Sequence, residues 1–115
     1  MKLLIVDDHS DMRKTLRTIV QAGETSPVDF IECDNGEEAI RLFNIHHPDF
    51  VLMDIQLGRM DGFTASEQIS KLHPDARIIF VTSHQSPSFR NRAMKLNAIG
   101  MVLKDNLTEL TALLH

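Results

Sequence analysis

Three carboxylates in this chain stand directly behind short apolar runs. Asp7 and Asp8 follow Leu3-Leu4-Ile5-Val6, and Asp54 follows Phe50-Val51-Leu52-Met53. Two more polar residues hold the same kind of position, Thr82 at the end of the run 77–82 and Lys104 behind the run 99–103. Brought to one place, the carboxylates would repel one another and raise at least one pKa unless a cation neutralised them. A hard divalent ion meets that need, since Mg²⁺ takes octahedral oxygen ligation from one or two carboxylates, several waters and a phosphate oxygen. No cluster of His or Cys at ligand spacing argues for zinc instead. Asp54 could then act as a carboxylate nucleophile that forms an acyl phosphate while the cation offsets charge on the attacked group. Lys104 offers a point charge and Thr82 a hydroxyl donor, so both could register an added phosphoryl charge.

These residues meet only if the runs behind them are neighbouring parallel strands. Residues 3–6, 28–33, 50–53, 77–82 and 99–103 read as five strands, short and apolar without polar alternation. Between them lie helical patterns. Ser10 is the expected N-cap of the first, with Met12, Leu16, Ile19 and Val20 at helical spacing. Asn35 caps the second, where Glu37 and Glu38 complement the helix dipole and Ala39, Ile40 and Phe43 form the apolar face. Asp61 caps the third, carrying Phe63, Ile69 and Leu72; Pro87 opens the fourth, with Phe89, Ala93 and Leu96; Asn106 opens the last, with Leu107, Leu110 and Leu114. Strands alternating with helices predict an α/β fold, a doubly wound parallel sheet with right-handed crossovers and helices on both faces. Open sheets of this kind bind ligands outside the carboxyl ends of their strands, which is where all five polar residues lie.

Composition sets the outer limits. With 115 residues, 43% hydrophobic and 24% charged, the chain reads as one globular domain, residues 1–115. Its single Cys33 allows no internal disulfide, so a reducing cytoplasm is the expected location. The first apolar run reaches Asp7-Asp8 too soon for a signal sequence or membrane span, and no membrane association is expected. A net charge of −4 disfavours broad phosphate-backbone binding, so any contact with DNA belongs to a further output domain.

Asp7-Asp8, Asp54 with Met60-Asp61-Gly62 beyond it, Val81-Thr82-Ser83 and Leu103-Lys104 together resemble the response regulator receiver domain, over essentially the whole chain. Val6-Asp7-Asp8-His9 and Gly100-Met101-Val102-Leu103-Lys104-Asp105 look most like receivers of the NarL/FixJ type. The resemblance implies the flavodoxin-like strand order 2-1-3-4-5. It also implies that Asp54 accepts phosphate from a sensor histidine kinase. Asp8 and Asp54 would then contact Mg²⁺ directly, Asp7 through water, and Gln56 through its backbone carbonyl. A homodimer formed on phosphorylation, and control of transcription through an attached DNA-binding domain, are further implications. Three positions depart from the family's usual residues. Gly58 replaces a frequent Pro and frees the loop after Asp54. Met101 stands where a switching Tyr or Phe is common, which implies a softer coupling to Thr82. Asp105 follows the lysine in place of Pro, so the bond between them is expected to be trans. The final helix is short for the family.

Taken singly, each of these residues has a plainer reading: Asp7-Asp8 as a loop pair, Thr82 as an ordinary strand residue, Lys104 as a solvated charge. Their value is joint. His9, His46, His47, His73 and His84 read as scattered surface residues, Cys33 as a small buried hydrophobe, and Met12, Met53, Met60 and Met94 as packing residues. The leading function is a phosphorylation-dependent switch that catalyses only its own modification; the alternative is a receiver-like interaction module that works without phosphate. A flavin or nucleotide binder lacks its glycine-rich turn, and a phosphohydrolase built on Asp54 would want an acid where Gln56 stands.

Overall fold

β-Branched and other apolar residues fill the strands because both faces of the sheet are covered. A computed structural model describes residues 1–84 and 86–115. Its elements run β1 (Lys2–Val6), α1 (Ser10–Ala22), β2 (Asp29–Cys33), α2 (Gly36–His46), β3 (Phe50–Met53), α3 (Gly62–Leu72), β4 (Ile78–Thr82), α4 (Pro87–Lys95), β5 (Gly100–Leu103), and a 3₁₀ turn (Leu107–Glu109) leading into α5 (Leu110–Leu113). The sheet is parallel throughout, in the order β2-β1-β3-β4-β5, as the resemblance implies.

Alternation along each strand splits the core in two. Leu4, Val6, Val51, Met53, Ile78 and Phe80 face a layer built by α2, α3 and α4, with Phe43, Phe63, Ile69 and Ala93 against them. Leu3, Ile5, Leu52, Ile79, Val81 and Val102 face Leu16 and Val20 of α1 and Leu107, Leu110 and Leu114 near the C-terminus. Each strand therefore has apolar partners above and below, which fixes its register and the level at which its carboxyl end emerges. The register pairs Val6 with Met53, so the residues that follow, Asp7 and Asp54, leave the sheet side by side.

The helix signals hold at three of five starts. Asn35 Oδ1 accepts from the Glu38 N–H (2.8 Å), Asp61 Oδ1 from the Thr64 N–H (2.8 Å), and Pro87 opens α4 behind the cap Ser86. At α1 the expectation fails: Ser10 is already helical, and the N-cap is His9, whose side chain caps nothing. At the last helix Asn106 opens a 3₁₀ turn instead of an α-helix, and its side chain makes no cap bond to the backbone. Two residues expected inside are outside. Leu72 is 61% exposed and Met94 70%, because each lies at the end of its helix beyond the sheet's cover. Cys33 is only half-buried, though burial still pushes its thiol up to about 11. Among the described residues every peptide bond is trans, the Lys104–Asp105 bond included.

Candidate functional site

The backbone at the carboxyl edge places the acidic residues before their side chains do anything. The Asp7 N–H donates to the Cys33 carbonyl (3.2 Å), tying the end of β1 to the end of β2. The Asp54 N–H donates to the Val6 carbonyl (2.9 Å), and the Lys104 N–H to the Thr82 carbonyl (2.9 Å). The end of β1 is thus tied to those of β2 and β3, and the end of β5 to that of β4. Behind them Arg13 of α1 donates from Nη1 to the Asp7 carbonyl (2.7 Å) and from Nε to Glu32 (3.2 Å), which holds the first helix against this edge.

The side chains then converge. Asp7 is 1% exposed and Asp54 4%, while Asp8 stands exposed at the mouth. One carboxylate oxygen from each of Asp7, Asp8 and Asp54, together with a ring nitrogen of His9, lie within 4.8 Å of one another. Lys104 reaches across the floor: its Nζ is 2.9 Å from Asp7 Oδ2 and 3.3 Å from Asp54 Oδ2. Only the contact to Asp54 has hydrogen-bond geometry, and Asp7 Oδ2 is left buried without a hydrogen bond. Asp54 Oδ1 accepts from the Ile55 N–H (2.8 Å).

Burial holds the Asp54 carboxyl above its ordinary range, and the Asp7 charge beside it adds to the shift. Lys104 and the Ile55 N–H pull the other way without cancelling it. Like-charge repulsion alone is the cause expected from sequence; burial proves the larger one. For Lys104, burial works against the ammonium, but the close contact with the Asp7 carboxylate and the charge of Asp54 outweigh it and raise its pKa.

Thr82 is 1% exposed at the end of β4, and its Oγ1 accepts from the His84 N–H (3.2 Å). Met101 sits beside Phe80 in the β4–β5 register, half-buried against the α2–α3–α4 layer. Gln56 is exposed in the loop after β3, two residues beyond Asp54. Asp7, Asp8, Asp54 and Lys104 therefore meet in one notch. One residue in it was assigned elsewhere: His9, read from sequence as a scattered surface histidine, has Nδ1 2.8 Å from Asp8 Oδ1 and 3.3 Å from Asp7 Oδ1. Its direct adjacency to Asp7-Asp8 was the available signal.

The donor set fits a hard divalent cation. Its ligand atoms are mostly carboxylate oxygens, and no thiol lies among them. Among the described residues no helix is long and apolar enough to cross a membrane.

Sequence and structure comparisons agree with this geometry. The family profile described as response regulator receiver domain matches residues 3–115. The transcriptional regulatory protein YdfI of Bacillus subtilis (strain 168) is 34% identical over 108 residues, covering 94% of this chain and 50% of YdfI. The chemotaxis protein CheY of the same organism is 33% identical over 103 residues, covering 90% of this chain and 84% of CheY. The crystal structure of a LuxR-family two-component response regulator from Aurantimonas sp. SI85-9A1 superposes with a TM-score of 0.88 at 30% identity, covering 96% of this chain and 79% of that one. The chain spans about half the length of the transcriptional regulators it matches, as its 50% share of YdfI shows. With the profile spanning nearly every residue and the acidic notch formed where such a fold would place it, this chain belongs to the response regulator receiver domain family.

Proposed function

We propose that the chain takes a phosphoryl group onto Asp54 from a phosphohistidine of a sensor kinase, with Mg²⁺ held by Asp7, Asp8, Asp54 and the Gln56 backbone carbonyl. The observation that carries this is the pairing at the floor, where one lysine spans two buried carboxylates (2.9 and 3.3 Å) beside a third. When bound, the divalent ion supplies charge neutralisation at the phosphoryl oxygens. An Asp54 oxygen forms the new O–P bond as the donor's N–P bond breaks; the electron pair stays on the imidazole nitrogen, which takes up a proton. The Ile55 N–H holds Asp54 Oδ1 in place, leaving the other oxygen with only the longer Lys104 contact. Lys104 exchanges its hold on Asp54 for the phosphoryl group, since a dianionic neighbour attracts it more strongly. The Thr82 hydroxyl leaves the His84 N–H and donates to a phosphoryl oxygen, and Met101 repacks into the space behind it.

This is a switch with one self-catalysed modification, not a turnover enzyme. The kinase partner, a homodimer formed on phosphorylation, a cytoplasmic location and transcriptional output through a further DNA-binding domain belong to the same reading. It is supported by the names of the half-covered relatives and by family membership.

Incubation of the protein with a small phosphodonor and Mg²⁺ tests it by intact-mass measurement. A gain of one phosphoryl group in the wild type, absent in Asp54→Asn and abolished by a chelator, is expected. No modification with any donor would favour a binding module that works without phosphate.

A further inference from the structure

The stretch from Asp7 to His9 joins β1 to α1 and carries two of the three carboxylates, yet regular structure holds it only at its ends. At one end the Asp7 N–H donates to the Cys33 carbonyl of β2 (3.2 Å); at the other the Arg13 N–H donates to the carbonyl of the N-cap, His9 (3.2 Å). No side chain caps α1, so the usual tie at a helix start is missing. The Asp7 carbonyl lies between these two bonds, beyond the sheet and before the helix, and a side chain reaches it: Arg13 Nη1, at 2.7 Å. Arg13 therefore bonds the segment at both ends, once through its backbone and once through its guanidinium.

The second bond has leverage because the Asp7 carbonyl and the Asp8 N–H belong to one planar peptide unit. Fixing the carbonyl fixes the direction in which Asp8 leaves the sheet, and Asp8, with its side chain 42% exposed, has little packing of its own to direct it. Arg13 is itself aimed. Its Nε lies 3.2 Å from Glu32 Oε1, on a strand residue paired with Ile5 of β1. The guanidinium presents its donors in a rigid planar fork, so seating Nε on Glu32 sets where Nη1 points. Arg17, one helical turn on, brings the same charge to the other oxygen of Glu32 (2.9 Å) and, among the described residues, makes no hydrogen bond to Asp7.

We propose that Arg13 is a positioning residue for phosphoryl uptake: through the Asp7 carbonyl it orients the Asp7-Asp8 pair for the divalent ion, and Glu32 aims its guanidinium. Arg13 touches neither the ion nor the phosphoryl group. It supplies pre-arrangement, so that ion binding does not first have to order a loose turn. Its charge is secondary, since Glu32 offsets it, and the two arginines separate placement from charge. The inference rests on the notch holding Mg²⁺, as proposed above.

Calorimetric titration with Mg²⁺ alone, without a phosphodonor, measures ion affinity in the wild type, Arg13→Gln, Arg17→Gln and the double variant Arg13→Gln/Glu32→Gln. Urea unfolding establishes that each is folded. Arg13→Gln should lower the affinity about tenfold and Arg17→Gln about twofold or less. Adding Glu32→Gln to Arg13→Gln should cost nothing further, because Glu32 acts through the guanidinium. In phosphoryl uptake from a small phosphodonor, Arg13→Gln should raise the half-saturating Mg²⁺ concentration by the same factor and keep the rate at saturating Mg²⁺ within about twofold of wild type. If Arg13→Gln does not fold, Arg13→Lys, which keeps the stem and the charge but loses the fork, replaces it, with a fall in affinity of about threefold expected. Unchanged affinity in the Arg13 variant, or an equal fall in Arg17→Gln, overturns the role of Arg13. So does a saturated rate that falls as far as the affinity, which marks general loosening of the site. A wild type that binds no Mg²⁺ overturns the cation site and this inference together.

Discussion

Asp54, the proposed phosphoacceptor, is at odds with its surroundings. Its carboxyl sits above the ordinary range because burial, then the Asp7 charge, disfavours the ionised form. The folded chain therefore keeps that proton to higher pH than the unfolded chain does. Between the ordinary carboxylate pKa and the raised one the native state binds more protons, so this residue's contribution to stability is intact at low pH and is lost as pH rises through the raised value. Asp54→Asn removes that loss. In the presence of a chelator the variant should be more stable than the wild type at neutral pH. The two should converge as pH falls to about 4. Urea unfolding at a series of pH values measures it, and parallel curves for the two proteins would rule the account out. Added Mg²⁺ should narrow the gap, since the ion relieves in the wild type what the substitution removes. Lys104 acts in the opposite sense. Lys104→Met leaves Asp7 and Asp54 buried without their shared cation, and a loss of about 2 kcal/mol is expected in chelator, partly restored by Mg²⁺. A neutral effect on the urea midpoint would mean that the floor pairing contributes nothing to the fold.

A short segment between β3 and α3 turns element geometry into site geometry. The Gly62 N–H donates to the Ile55 carbonyl (2.7 Å), and Asp61 caps the helix through Thr64. A side chain at Gly62 would meet the Asp54 carbonyl, with the Ile55 Cα at 2.9 Å, so α3 can approach the loop after Asp54 this closely only with glycine there. The two neighbours should separate cleanly on substitution. Asp61→Ala removes one cap bond, costs about 1 kcal/mol, and leaves the rate of phosphoryl uptake on Asp54 close to wild type. Gly62→Ala pushes the loop away from the helix, and should lower both the urea midpoint and the uptake rate. Equal uptake rates in the two variants would show that the close approach does not position Asp54. Asp61 and Gly62 were both visible in the sequence, the first as a cap and the second as part of the resemblance. Their joint consequence was not, because backbone approach across eight residues of loop has no local signature. His9 escaped notice for a related reason. A search for ligand spacing treats histidines as partners of one another, whereas this ring joins two carboxylates that precede it immediately in the chain.

At the scale of the molecule, the strands were legible because helices cover both faces of the sheet and leave no polar alternation to confuse the reading. The strand order was not, since local periodicity says nothing about which strands pair; it came from the family resemblance, and the parallel ladders agree with it. The residues misjudged, Leu72 and Met94, lie at helix ends where periodicity continues but the sheet does not. The same two-layer construction governs how a phosphoryl group on Asp54 would be felt at a distance. Thr82 ends β4 at the carboxyl edge of the sheet, and Met101 lies on the neighbouring strand in the α2–α3–α4 layer. In the unmodified chain the Thr82 hydroxyl is engaged by the His84 N–H (3.2 Å), so withdrawing it toward a phosphoryl group opens space on the Met101 side. Methionine is flexible and adapts to such a space by small rotamer changes, which an aromatic ring would do in one step. Methyl-labelled methionine NMR reads this directly. Addition of a phosphoryl mimic should move and broaden the Met101 methyl while leaving Met1, ahead of β1 at the opposite end of the sheet, in place. Thr82→Ala should suppress the Met101 response without preventing the mimic from binding, and Met101→Phe should replace graded broadening by two resolved states. A Met101 methyl that stays fixed while resonances of α4 and β5 still shift would place the transmission elsewhere in the sheet.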